Sequence, residues 1–201
     1  MKKLIIFGIK STAKEIYEYV CYSNKYHFDE IQMIHYNENS LKALKEMNEE
    51  LYYIISFSNI SLRDECIEAI SQYKFLKPFS IIHENAYVSP SAKIGSGVYI
   101  APNSTISTDV TIDDHVIINL NASIGHDAQI KCNVIILTGA RVSGNCRIST
   151  GTLIGSNAFI LNGVLVEEYN QIDALCYISK DLKPKMISSV RHATKTIRQI
   201  K

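Results

Sequence analysis

From Val88 to Ile178, every sixth residue is isoleucine or valine, without one insertion. A second phase follows each of them by four residues: Ala92, Val98, Ser104, Val110, Val116, Ala122 and onward to Cys176, nearly all small or β-branched. A period of six fits neither an amphipathic helix, with about 3.6 residues per turn, nor a strand alternating every second residue. It predicts a hexapeptide β-helix. Each hexapeptide then supplies one short strand and one turn, with the isoleucine or valine pointing inward and the small residue fitting near a corner. Three hexapeptides close a triangular coil, and coils stack at the strand spacing of ~4.8 Å. Such an aliphatic row is buried only by stacking on its neighbours. An antiparallel sandwich would need two-residue alternation and irregular glycine-rich hairpins, which fit this stretch less well.

Residues 1–80 lack that period, so a different unit precedes the coil. An aliphatic run at 4–7, ended by Gly8, reads as a buried parallel strand. Ala13, Ile16, Tyr17 and Val20 fall at helical spacing over 11–22, with Ser11 or Thr12 available as a cap. Residues 29–36 and 51–57 read as strands, 41–47 as a short helix. A helix from Ser61 through Tyr73 places Leu62, Cys66, Ile67 and Ile70 inward. Strand–helix alternation predicts a small three-layer, Rossmann-like α/β unit with a parallel sheet, which takes ligands at the carboxyl ends of its strands. The expected organisation is 1–80 for this unit, 81–179 for the β-helix and 180–201 for a basic tail.

Composition narrows the class. Hydrophobic residues make up 46% and charged ones 20%, as in a globular protein, and the net charge of +1 argues against general nucleic-acid or membrane binding. The opening Met-Lys-Lys and its apolar run are too short for a signal peptide, and no segment is long enough to span a bilayer. Five cysteines, an odd number without Cys-x-x-Cys spacing, give no disulfide framework and no metal cluster. Cys146 and Cys176 fall on the small inward phase, where a thiol is an apolar filler. These features predict a cytoplasmic protein.

Candidate chemistry lies in the stretch Val116 to Asp127, Val-Ile-Ile-Asn-Leu-Asn-Ala-Ser-Ile-Gly-His-Asp. His126 stands two places after the inward Ile124, so it projects from the coil surface. Imidazole takes a proton near neutrality, as a general base must. Asp127 is placed to hold its tautomer, provided a turn brings the neighbours together. A solvated surface His-Asp pair is the plain alternative.

That stretch, the segment His83 to Ala92 and the preceding α/β unit together resemble the left-handed β-helix acyltransferases that modify sialic acids and nucleotide-linked amino sugars. The resemblance covers nearly the whole chain. It implies an acetyl-CoA-dependent N-acetyltransferase for a nucleotide-linked 4-amino-dideoxy sugar of surface glycans, working as a homotrimer with sites between subunits. His126 would be the base, with Asp127 and Asn119 assisting. Gly144, whose amide would polarise the thioester, and Gly139, Ser143 and Ser156 would line the acyl-donor groove; glycines and serines also suit plain β-helix corners. Lys10, Asn59 and Arg63 would contact the nucleotide sugar, with a helix N-cap and a solvated cation as the alternative for the last two.

The chain also departs from that family. Ile135 stands where many members carry a second histidine, and the glycine-rich turn after the first strand keeps only Gly8. Tyr36 and Asn37 replace the acidic residues that often end the second strand. Ser188 to Ala193 replaces the tail motif Gly-Asn-Pro-Ala, and the basic tail is read either as pairing with CoA phosphates or as a solvated end. Two other readings compete: O-acetylation of a sialic-acid-type hydroxyl, and a non-catalytic β-helix scaffold.

Overall fold

The computed structural model describes residues 2–47 and 49–190. The N-terminal unit runs β1 (Lys3–Phe7), α1 (Ser11–Tyr22), β2 (Glu30–Ile34), α2 (Glu38–Glu46), β3 (Leu51–Ile55), α3 (Ile60–Ser71) and β4 (Leu76–Pro78). Its four strands are parallel in the order β2-β1-β3-β4. Alternation along the strands divides two cores. Leu4, Ile6 and Ile54 pack with Ala13, Ile16 and Val20 of α1. Ile5, Phe7 and Ile55 pack with Leu41 and Leu44 of α2 and Cys66 and Ile70 of α3.

Local details depart from the sequence reading. The cap position of α1 is Lys10, whose side chain makes no capping bond, rather than Ser11 or Thr12. Helix α2 starts earlier than expected, because Asn37 and Ser40 close a reciprocal capping box. In α3, Arg63 is buried where Leu62 was expected, and Leu62 is exposed. Strand β4 was not anticipated; Leu76-Lys77-Pro78 is too short and polar to carry a periodic signal.

The remainder is a triangular β-helix with parallel sheets of five, six and seven strands as its faces. Rungs pair at a separation of 18 residues, as Ile117–Ile118 with Ile135–Ile136, so three hexapeptides make a coil as the repeat predicts. The inward row from Ile100 to Ile178 forms one core with Val98, Val110, Ala122, Ala128, Ala140, Cys146 and Cys176. Burying one such isoleucine contributes about 1.5–3 kcal/mol. Winding begins at Ile81–Ile82, paired with Tyr99–Ile100. It also continues past residue 179: Leu182 bridges Val166 and Ile187–Ser188 pairs with Gln171–Ile172, although the six-residue spacing has ended.

A third phase turns every corner. Each sixth residue from Gly97 to Leu175 has a left-handed φ of 54–74°. Glycine, asparagine and aspartate fill most of these positions, as expected where other side chains cost about 1–2 kcal/mol. His115, Tyr169 and Leu175 are the exceptions.

Outward residues distinguish the faces. The seven-stranded face presents Tyr99, Ile117, Ile135 and Leu153, and this patch joins the core on the α1 side of the N-terminal unit. The six-stranded face presents Thr105, Ser123, Arg141, Phe159 and Tyr177, and the five-stranded face Lys93, Thr111, Gln129 and Arg147. The N-terminal unit therefore covers one face of the prism.

Candidate active site

His126 lies between the rungs Ser123–Ile124 and Gln129–Ile130, at the corner where the six- and five-stranded faces meet. That vertex is opposite the face covered by the N-terminal unit. The turn needed to join His126 to its neighbour is the left-handed residue itself: Asp127 has φ +59°. Its Oδ2 stands 2.8 Å from His126 Nδ1, with both side chains about half exposed (55%). In the neutral imidazole, Nδ1–H donates to this carboxylate and Nε2 keeps its lone pair for a proton.

The next coil places Gly144 over the imidazole, and a Cβ at Gly144 would fall 2.7 Å from Nε2. Only glycine leaves the ring this position. Asn162, one coil further, donates from Nδ2 to the Gly144 carbonyl at 2.7 Å, and the Asn145 amide donates to the His126 carbonyl at 2.8 Å. The corner thus has a fixed backbone, a free ring nitrogen and an open outer side. Chemically it can accept a proton and, through the Gly144 amide, hydrogen-bond a developing oxyanion.

The other expected residues do not all converge there. Asn119 sits at the preceding corner, where its Oδ1 accepts from Leu120 N and its carbonyl from Ser104 Oγ; it does not reach His126. Ser143 shares the His126 corner. Gly139 and Ser156 lie at the preceding corner, across the width of the six-stranded face, because a coil repeats after 18 residues rather than 12. Ile135 is fully buried in the core shared with the N-terminal unit, so in this chain that place faces no groove.

A second candidate lies in the N-terminal unit. A cavity of about 440 Å³ opens at the carboxyl ends of β1, β2 and β3, and its lining includes Lys10, Ser11, Thr12, His35, Tyr36 and Asn59. Its lining holds no carboxylate. Gly8 forms the floor with φ +134°, and a Cβ there would meet Ser56 Oγ at 2.1 Å. Asn59 caps α3 by accepting from Leu62 N. Arg63 is neither a solvated cation nor a cavity wall. It is fully buried, and burial pulls its pKa down to about 10. Lys180, Lys183 and Lys185 of the basic tail are exposed; Arg191, Lys195, Arg198 and Lys201 lie outside the described residues.

His115 was not singled out from the sequence. It occupies a left-handed corner position, with its ring stacked on Tyr53 at 5.9 Å and its buried Nδ1 without a partner. Burial, and then the Arg63 charge, push its pKa down to about 4. The available signal was a histidine in a phase held mostly by Gly, Asn and Asp.

Among the described residues no helix is long and apolar enough to cross a membrane. The fold and the exposed corner define a hexapeptide-repeat β-helix protein with an α/β unit at its N-terminus. A family profile described as the GMPPB C-terminal domain matches residues 76–187, and the chain belongs to that family. No curated protein matches the sequence. Among solved structures, the acetyltransferase domain of PglB from Neisseria gonorrhoeae is similar with a TM-score of 0.84 at 24% identity, over 93% of this chain and 96% of that one. The same domain in complex with acetyl coenzyme A gives a TM-score of 0.77 at 24% identity, over 92% and 95%. PerB from Caulobacter crescentus in complex with CoA and GDP-perosamine gives 0.67 at 21% identity, over 94% and 92%.

Proposed function

We propose that this protein is an acetyl-CoA-dependent N-acetyltransferase acting on a nucleotide-linked 4-amino-dideoxy sugar for surface glycans. The observation that carries the reading is the Asp127–His126 pair on an open corner, with Gly144 directly over the imidazole. The bound acetyl coenzyme A and GDP-perosamine named for the similar structures support the choice of donor and acceptor. The acceptor nitrogen attacks the thioester carbonyl while Nε2 takes its proton, and the Gly144 amide hydrogen-bonds the oxyanion. Collapse breaks the C–S bond, and the departing thiolate takes the proton back from the imidazolium. Asp127 stabilises that imidazolium and keeps the tautomer.

The carboxylate-free cavity at the N-terminus of α1 suits a nucleoside diphosphate. Backbone amides at the start of the helix, with Lys10 beside them, meet the diphosphate charge. We read residues 1–80 as a Rossmann-like nucleotide-binding unit on this basis. The base points away from the N-terminal unit of its own chain, so we assign the sugar-bearing cavity and His126 of each centre to neighbouring protomers of a homotrimer. We place the reaction in the cytoplasm.

The test is thiol release from acetyl-CoA with a panel of UDP-, GDP- and dTDP-linked amino sugars, alongside a sialic acid. Turnover of an amino sugar that disappears in His126→Ala is the expected result. Turnover of the sialic acid alone would make the protein an O-acetyltransferase, and no CoA binding by calorimetry would make it a scaffold.

A further inference from the structure

Arg63 is the largest fully buried side chain among the described residues, and its partners come from three separate segments. Nη1 donates to the carbonyls of Ile55 at 2.9 Å and Phe57 at 3.0 Å, the end of β3 and the loop that lines the cavity. Nη2 donates to the His115 carbonyl and Nε to Asn133 Oδ1 at 2.6 Å, both on one corner of the β-helix. All four acceptors are neutral. The nearest carboxylate, Asp64, accepts instead from Asn133 Nδ2 at 2.7 Å, so the asparagine relays between the two charges. A guanidinium held by neutral oxygens costs more desolvation than an apolar side chain of similar volume. Its planar fork, though, can meet several carbonyls in fixed directions, which a flexible ammonium cannot.

We propose that Arg63 is a positioning residue: it ties the cavity loop Ser56 to Asn59 to the β-helix corner of His115 and Asn133, and so sets the nucleotide site in register with the coil. This rests on the reading of the cavity as the nucleotide-sugar site. It assigns Arg63 no contact with substrate.

The informative variant is Asn133→Gly. Asn133 has φ +54°, which glycine adopts without strain, so the change removes the relay and leaves the corner turn intact. A second variant, Asp64→Asn with Asn133→Asp, exchanges the two groups and restores both hydrogen bonds. Expected for Asn133→Gly is a roughly tenfold rise in KM for the nucleotide sugar, as for loss of one hydrogen bond to a charged group. KM for acetyl-CoA should stay constant, and the exchanged pair should recover most of the effect. Amide exchange over residues 55–62 reads the same loop without any substrate: it should quicken in Asn133→Gly and return in the exchanged pair. Unchanged loop exchange in Asn133→Gly overturns the tie. Quickened exchange with no turnover by the parent protein leaves the tie standing and removes the transferase reading. Equal rises in both KM values, or no recovery in the exchanged pair, would make Arg63 a structural residue without a positioning role.

Discussion

His126 and His115 stand at two corners of one prism, and they differ in almost every physical respect. At the outer corner His126 is half exposed, bonded to Asp127 and roofed by a glycine. At the inner corner His115 is covered by Tyr53 and Arg63, has an unpartnered Nδ1 and stays neutral down to a pKa of about 4. Their places in the turn also differ, since His115 is itself the left-handed residue of its corner whereas His126 precedes the left-handed Asp127. Their burial follows from the N-terminal unit, which covers the seven-stranded face and reaches the corner of His115 and Asn133 while leaving the opposite vertex bare. A solenoid repeats its geometry, and the added unit decides which corners stay open to solvent and which are buried.

The sharpest way to break the comparison is to remove each histidine. His126→Ala should lower kcat by roughly 10²–10⁴, the usual contribution of a positioned base, with the thermal midpoint almost unmoved. Full activity in a folded preparation would disqualify the outer corner. Gly144→Ala comes next. Its methyl would sit 2.7 Å from Nε2 and displace the ring, so kcat should fall by roughly 10², again with little change in stability.

The inner corner should respond in stability rather than rate. Its imidazole is held at about 4 in the fold and returns to about 6.5 on unfolding, so the unfolded chain binds the proton first. Stability is therefore full above pH 6.5 and falls as the pH drops toward 4, by on the order of 2–3 kcal/mol. Denaturant unfolding across that window checks it, and His115→Asn, which keeps a residue tolerant of positive φ, should flatten the slope.

The smallest effect tests the turn shared by both corners. Leu175 has φ +65° and is 67% exposed, so Leu175→Gly should raise stability by about 0.5–1 kcal/mol by relieving backbone strain. A loss of that size instead would show that its side chain contributes packing.

The β-helix was legible because an inward isoleucine every sixth residue has no other geometric solution. The outer corner was legible for the same reason: His126, two places after Ile124, had to leave the core. Asn119, Gly139 and Ser156 lie at the corner before that of His126, because successive hexapeptides turn successive corners. Equivalent positions of one corner recur every 18 residues, as His126 and Gly144 do, and the row of asparagines, aspartates and glycines marks the turn phase that fixes this.

Arg63 shows the other limit. An arginine in the first turn of an amphipathic helix looks like a surface cation, since nothing local says which partner will cover it. Its four acceptors come from positions up to 70 residues away, on a corner it meets only after both units have folded. The sequence by itself determined the coil, its apolar axis and the outward aim of His126, because each is a local consequence of a repeated spacing. Which face was covered, which histidine stayed in water and which arginine was buried depended on the docking of one unit against the other. That docking matches two surfaces, and a one-dimensional pattern does not carry it.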